Sequence, residues 1–188
     1  MTDDLMRWIA ALGGNPDERQ QAQARLRTAG PAAVEPLIAV LQSDDSRPAW
    51  SAAQVLGDLG DARALPALIA AIRSPNALLG SAAAKAALKL PDPLALSQVI
   101  AALPAAPLMT QQSIVLALQQ LGDSRAVEKL VELLAATSPP IMRTAIIKAL
   151  GDLGDAALLP VIRPYLDDAD HHVRDWAAEV VQRFERQV

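Results

Sequence analysis

Residues 56–72 read LGDLGDARALPALIAAI, residues 150–166 read LGDLGDAALLPVIRPYL, and between them residues 118–134 read LQQLGDSRAVEKLVELL. The joints inside these stretches, Leu59-Gly60-Asp61, Leu121-Gly122-Asp123 and Leu153-Gly154-Asp155, form one series with Leu90-Pro91-Asp92, at spacings of 31, 31 and 32 residues. A shorter echo, Ala29-Gly30-Pro31, stands 30 residues before the first. Matches at one period across most of a chain mark a repeat protein.

Each joint is helix punctuation. Gly60, Gly122 and Gly154 stand where a finished helix takes a left-handed residue just past its end. The Asp that follows can accept the free N–H groups of the next helix and complement its positive end. A second break falls midway in each period, at SDDSRP, SPN, PAAP, TSPP and DDAD, rich in turn formers. Two breaks per period predict two helices, near 3–12, 16–29, 31–42, 46–58, 61–73, 76–89, 92–103, 107–120, 123–136, 140–152, 155–167 and 170–186. These twelve helices make six antiparallel pairs, about 1–29, 31–59, 61–90, 92–121, 123–153 and 155–187, in a single domain over 1–188. Prolines such as Pro16, Pro48, Pro93 and Pro140 fall at helix starts, where a missing N–H costs little. Pro36, Pro66 and Pro160 recur one to two turns into first helices, where a bend is expected.

Composition agrees with helices and limits the chemistry. Of 188 residues, 38 are Ala and 28 are Leu, both strong helix formers. Only five are aromatic, too few for sheet faces. With no Cys, disulfides, thiolate metal sites and thiol nucleophiles are excluded. A formal charge of −4 argues against a dedicated nucleic-acid binder. The opening MTDDLMRWIAALGG has acidic residues where a secretory signal has basic ones, and no apolar run is long enough to span a bilayer. A cytoplasmic protein without membrane association is therefore expected.

The period, the L-G-D-x-x-A-(L/V)-x-x-L joint and the element Val173-Arg174-Asp175-Trp176-Ala177-Ala178 together resemble HEAT-like repeats, specifically the short variety of the phycobilisome (phycocyanobilin) lyase family. The resemblance covers about residues 16–187, with residues 1–12 as a diverged capping helix. It implies an all-α, right-handed superhelical solenoid of about six helix pairs. The Arg that the resemblance leads one to expect on the second helices stands at Arg143 and Arg174, whereas the matching positions hold Ala49, Gly80 and Gln111. An Arg–Asp ladder is thus expected only in the C-terminal repeats.

Aligned second helices carry two stripes. One, including Ala52/Val55/Leu56/Leu59, Ala83/Ala86/Ala87/Leu90, Ile114/Ala117/Leu118/Leu121, Ile146/Ala149/Leu150/Leu153 and Ala177/Val180/Val181/Phe184, has core spacing. The other holds Arg47/Trp50/Gln54, Leu78/Ser81/Lys85, Met109/Gln112/Leu116, Ile141/Thr144/Lys148 and His172/Asp175/Glu179. In a solenoid the second stripe lines the concave surface. Candidate binding residues are therefore Trp50, Leu78, Lys85, Met109, Gln112, Leu116, Ile141, Lys148, His172 and Asp175. Two readings of this stripe stand: a partly exposed apolar groove with a polar rim, or ordinary packing between repeats.

No catalytic constellation emerges: the chain has no phosphate loop and no Ser-His-Asp arrangement. His171-His172 reads as a solvated helix start whose rings diverge by about 100°. The di-iron chemistry of HEAT-like deoxyhypusine hydroxylases uses His-Glu pairs, which this chain lacks. Asp61, Asp92, Asp123, Asp155 and the pairs Asp44/Asp45 and Asp167/Asp168 read as caps and turns. The sequence thus points to a non-enzymatic scaffold, with no cofactor or metal, that binds a protein or peptide and is itself a monomer or weak homo-oligomer. The resemblance implies an alternative, an accessory enzyme or chaperone of the lyase type handling a bilin. A purely structural assembly module is a third possibility.

Overall fold

Helix ends follow the joints. The computed structural model describes residues 2–43, 45–137 and 139–186, so Met1, Asp44 and the Ser138 of the TSPP break lie outside the described residues. Among those described, every regular element is helical: α1 (Thr2–Ala11), α2 (Pro16–Ala29), α3 (Val34–Leu41), α4 (Ser46–Leu59), α5 (Leu65–Ala71), α6 (Ala77–Lys89), α7 (Ala95–Ala102), α8 (Leu108–Leu121), α9 (Ala126–Ala136), α10 (Pro140–Leu153), α11 (Leu159–Ile162) and α12 (His171–Glu185). The all-α helical-repeat class is as expected, but twelve full helices are not found. Eleven have seven residues or more, and α11 is a single turn between the 3₁₀ segments Ala156–Leu158 and Arg163–Asp167. Pro160 and Pro164 each remove a backbone donor there, so an α-helical bond ladder cannot run through.

The same chemistry revises the expected bends. Pro36 and Pro66 sit in the first turns of α3 and α5, behind the 3₁₀ turns Gly30–Ala33 and Ala62–Ala64. A 3₁₀-to-α junction replaces the bend inside one continuous helix. At the joints, Gly60 and Gly122 are left-handed, with φ of 66° and 70°. Gly154 is not; its φ is −106°. A Cβ there would meet the tip of the Leu158 side chain and stand 2.9 Å from the Leu150 carbonyl oxygen. The capping carboxylates act as expected: Asp61, Asp92, Asp123 and Asp155 each accept from the N–H two residues on, at 2.8–3.0 Å.

The chain divides into two compact units, Met1–Thr110 and Gln111–Val188, with the division inside α8. In the first unit Leu12, Leu26, Leu37, Leu56, Leu68 and Ile72 are fully buried. Each such side chain contributes about 1.5–3 kcal/mol relative to exposure. The Ala-rich stripe allows α4 and α6 to touch: a Cβ on Gly57 would stand 2.7 Å from the Ala86 Cα. In the second unit Ile114, Leu118, Ile146, Leu150, Val173 and Phe184 form the core, joined by Leu130 and Leu134 of α9. Gly151 mirrors Gly57, with Val180 Cγ2 2.6 Å from where its Cβ would be. One stripe residue departs from the core assignment. Leu121 is 47% exposed, being the last residue of α8, beside the left-handed Gly122.

Candidate protein-binding face

In the first unit the second helices are α2, α4 and α6, and residues 31 apart on them stand side by side. Arg19 lies over the Trp50 ring at 5.6 Å. One turn further on, Gln23 Nε2 donates to Gln54 Oε1 at 2.9 Å. A turn beyond that, Asp58 is held from both sides, by Arg27 at 2.7 Å and Lys89 at 2.9 Å. Burial raises the Asp58 carboxyl, but the hydrogen bonds and charges of Lys89 and Arg27 outweigh it and hold the group below its usual range. These rows at one-turn intervals make a lattice of side chains on one face.

Two cavities open on that face. The larger, about 650 Å³, is lined by Arg19, Arg47, Trp50, Asn76 and Leu78 together with Gly13 and Asp45. The smaller, about 310 Å³, lies over the Gln23–Gln54 and Arg27–Asp58–Lys89 rows and includes Lys85. Leu78 is 71% exposed and Met109, at the start of α8, is 62% exposed, while Trp50 is half-buried at the wall of the larger cavity. The stripe's centre in this unit is therefore solvent-facing. Trp50, Leu78 and Lys85 are brought together around the two cavities.

The second unit keeps the pattern with other chemistry. Leu116 and Ile141 are 48% and 56% exposed, and Gln112 is half-buried. Lys148 is occupied, its Nζ 4.1 Å from the centre of the Trp176 ring. Asp152 accepts from Gln119 and pairs with Arg183 at 2.9 Å. Burial raises the Asp152 carboxyl too, yet Gln119 and Arg183 bring it below the usual range. Arg143 makes a two-pronged bond to Asp168, both prongs at 2.8 Å, and Arg174 donates to the carbonyls of Asp168 and Ala169 at 2.7 and 2.9 Å. The hydrogen bond from Arg143 depresses the Asp168 carboxyl. The Arg–Asp contacts expected of the C-terminal repeats are present there. At the corresponding positions of the first unit, Ala49 is buried and Gly80 lies against Thr110.

His172 and Asp175 are exposed on α12. The His171 and His172 rings do not diverge as expected but stand 3.9 Å apart, because both belong to the open first turn of the helix. No cluster of three His, Cys, Asp or Glu side chains that could hold a metal occurs among the described residues. Nor is any of the described helices long and apolar enough to cross a membrane.

Arg19, Arg27, Asp58 and Lys89 of this face are not among the candidate binding residues named from the sequence. The signal was there: Arg27, Asp58 and Lys89 stand at intervals of 31, with charges alternating plus, minus, plus. Arg19 and Arg27 belong to α2, which precedes the aligned second helices, and Asp58 and Lys89 lie one turn past Gln54 and Lys85.

Models of HEAT repeats match residues 5–89, 34–107 and 96–182. A comparison with curated protein sequences finds no match. Among solved structures, the complex of CpcE and CpcF of phycocyanin lyase from Nostoc sp. PCC7120 is similar at 26% identity and a TM-score of 0.59. That match covers 81% of this chain and 65% of the other, so the chain spans less than two thirds of that relative. A designed armadillo repeat protein is similar in fold, with 15% identity, a TM-score of 0.50, and coverage of 96% of this chain and 99% of that one.

Proposed function

Because the chain belongs to the HEAT-repeat family, we propose that it is a non-enzymatic scaffold that holds a protein or peptide segment in a concave groove along its second helices. The observation that carries this reading is that large apolar side chains are exposed at stripe positions within each unit, Leu78 and Met109 in the first, Leu116 and Ile141 in the second. Apolar side chains set among polar ones at regular intervals suit recognition, and Trp and Met suit it as anchor and adaptable surface. Lys85, Gln112, Lys148, His172 and Asp175 supply the polar part. The test uses Trp50→Ala, Met109→Ala and Ile141→Asp variants, with a partner cross-linked to the wild-type chain in native lysate and then purified. Folded variants should lose most of the affinity. Undiminished binding by all three would remove the groove assignment.

A second reading, an accessory enzyme or chaperone handling a bilin chromophore, is favoured by the likeness to the phycocyanin lyase complex. Mixing purified chain with free bilins and scanning absorbance separates the two. A spectral shift saturating at one bilin per chain supports the second reading, and an unchanged spectrum at high concentration removes it.

A further inference from the structure

The α2–α4–α6 face is basic in a chain that is acidic overall. The two cavities on it are lined by five cations, Arg19, Arg27, Arg47, Lys85 and Lys89, against two carboxylates, Asp45 and Asp58. The whole chain has 17 Lys and Arg against 21 Asp and Glu. Both carboxylates are already engaged. Asp58 takes Arg27 and Lys89, and Asp45 caps α4 by accepting the Arg47 N–H at 3.2 Å. Arg19, Arg47 and Lys85 have no carboxylate partner among the described residues, and each borders a cavity. The apolar contribution lies next to them, in Trp50 and the exposed Leu78.

We propose that this face takes an extended acidic peptide, its carboxylates set against Arg19, Arg47 and Lys85 and a large apolar side chain seated on Trp50 and Leu78. The proposal rests on the protein-binding reading and adds the chemistry of the segment bound. Charge complementarity chooses the occupant: a neutral or basic segment would leave three cations facing it without partners. Arg19, whose guanidinium lies over Trp50 at 5.6 Å, has five N–H donors, so an aromatic contact and a carboxylate can be served together. A nucleic acid would also be drawn by the cations, but it would set phosphates against Asp45 and Asp58 and leave Leu78 without an apolar contact.

The test is fluorescence anisotropy with labelled synthetic peptides. The reference peptide carries Glu at alternate positions with one Leu and one Phe between them. Its companions replace every Glu by Gln, every Glu by Lys, or Leu and Phe by Ala, and oligothymidylate of equal charge is a separate probe. The reference peptide should bind, more weakly as salt rises, and the Gln and Ala versions should bind about ten-fold or more weakly. In the protein, Arg47→Glu with Lys85→Glu should weaken the reference peptide about ten-fold or more with helicity unchanged. The milder Arg47→Gln should have a smaller effect in the same direction, Leu78→Ser should match the loss of Leu and Phe, and Arg186→Glu should change nothing. Equal affinity for the Gln peptide, indifference to both Arg47 variants, or tighter binding of oligothymidylate would overturn the proposal. If the Gln or Lys peptide binds as well and Leu78→Ser abolishes it, the scaffold reading stands and the acidic preference falls. If no peptide binds at all, the acidic-peptide proposal falls, and the scaffold reading is decided separately by the lysate partner and the three groove variants.

Discussion

The two units are built on the same sentence of sequence and finish it differently. Asp58 and Asp152 occupy the same place in LGDLGD, and each ties its own second helix to both neighbours, Asp58 through two cations and Asp152 through one amide and one cation. Gly57 and Gly151 precede them, each where the next second helix comes close. What lies around these tie points diverges. Among the described residues, Arg19, Arg47 and Lys85 of the first unit have no carboxylate partner, whereas in the second Lys148 lies over Trp176, Arg143 holds Asp168 and Arg183 holds Asp152. The lesson is that the repeat skeleton and the surface chemistry are separable. The tie points recur because stacking needs them, and the rest of the face is available for recognition.

The glycine pair offers the sharpest way to break that equivalence. At Gly57 the obstacle to a methyl group is the Ala86 backbone, which cannot swing away. Gly57→Ala should therefore cost about 2 kcal/mol in urea unfolding, even after the roughly 1 kcal/mol gained in helix propensity. At Gly151 the obstacles are the side chains of Val180 and Arg183. Gly151→Ala should cost about 1 kcal/mol, less than Gly57→Ala, because the Arg183 tip can move aside but the buried, β-branched Val180 must shift against its neighbours. Equal losses at the two sites would show that the glycines do different work from that assigned.

Arg143 is the next test, since its pair with Asp168 is the least exposed of the ion pairs among the described residues, at 15% and 10%. Arg143→Ala should cost about 2 kcal/mol, somewhat below the 3–5 kcal/mol of a fully buried broken pair. Thermal or urea unfolding checks it, and Arg143→Lys should recover only part because it loses the two-pronged geometry.

Smaller effects are expected at the bridging aspartates, where the partners are more exposed. Asp58→Ala should lose about 1 kcal/mol and Asp152→Ala about half that, because only the first leaves two cations facing each other. A double-mutant cycle with Lys89 would measure the coupling.

Acid pH gives the smallest and most distributed effect. Asp58, Asp152 and Asp168 are all held below the ordinary value of 3.8 in the folded chain. In the unfolded chain they take up protons first as pH falls, so their contribution to stability is complete above that value and declines as pH drops through the lowered ones. Urea unfolding from pH 6 to pH 3 should show the decline, and Asp168→Asn should flatten it most, its carboxylate being the least exposed of the three.

Much of the architecture was legible in the residues. Helix ends at the Gly-Asp joints, the capping Asp side chains and most of the apolar stripe depend on local backbone rules or on a period of 3.6, and both are written along the chain. The misses have one kind of cause. Gly154 is extended where a left-handed residue was expected, Leu121 is exposed because of where α8 ends, and the His171 and His172 rings meet in the open first turn of α12. Each depends on what stands nearby in space.

The candidate face divides the same way. Trp50, Leu78 and Lys85 could be placed on one stripe by counting turns. That Arg19 covers Trp50, that Asp58 gathers Arg27 and Lys89, and that Lys148 lies over Trp176 while Lys85 has no carboxylate partner among the described residues could be read only from the packed helices. The sequence by itself determined the period, the helix class and which side of each helix faces inward, because these follow from bond geometry and burial of apolar surface repeated at a fixed interval. Tertiary structure alone decided which charges are paired and which remain available, because an ion pair depends on a few ångströms between helices that lie thirty-one residues apart in the chain.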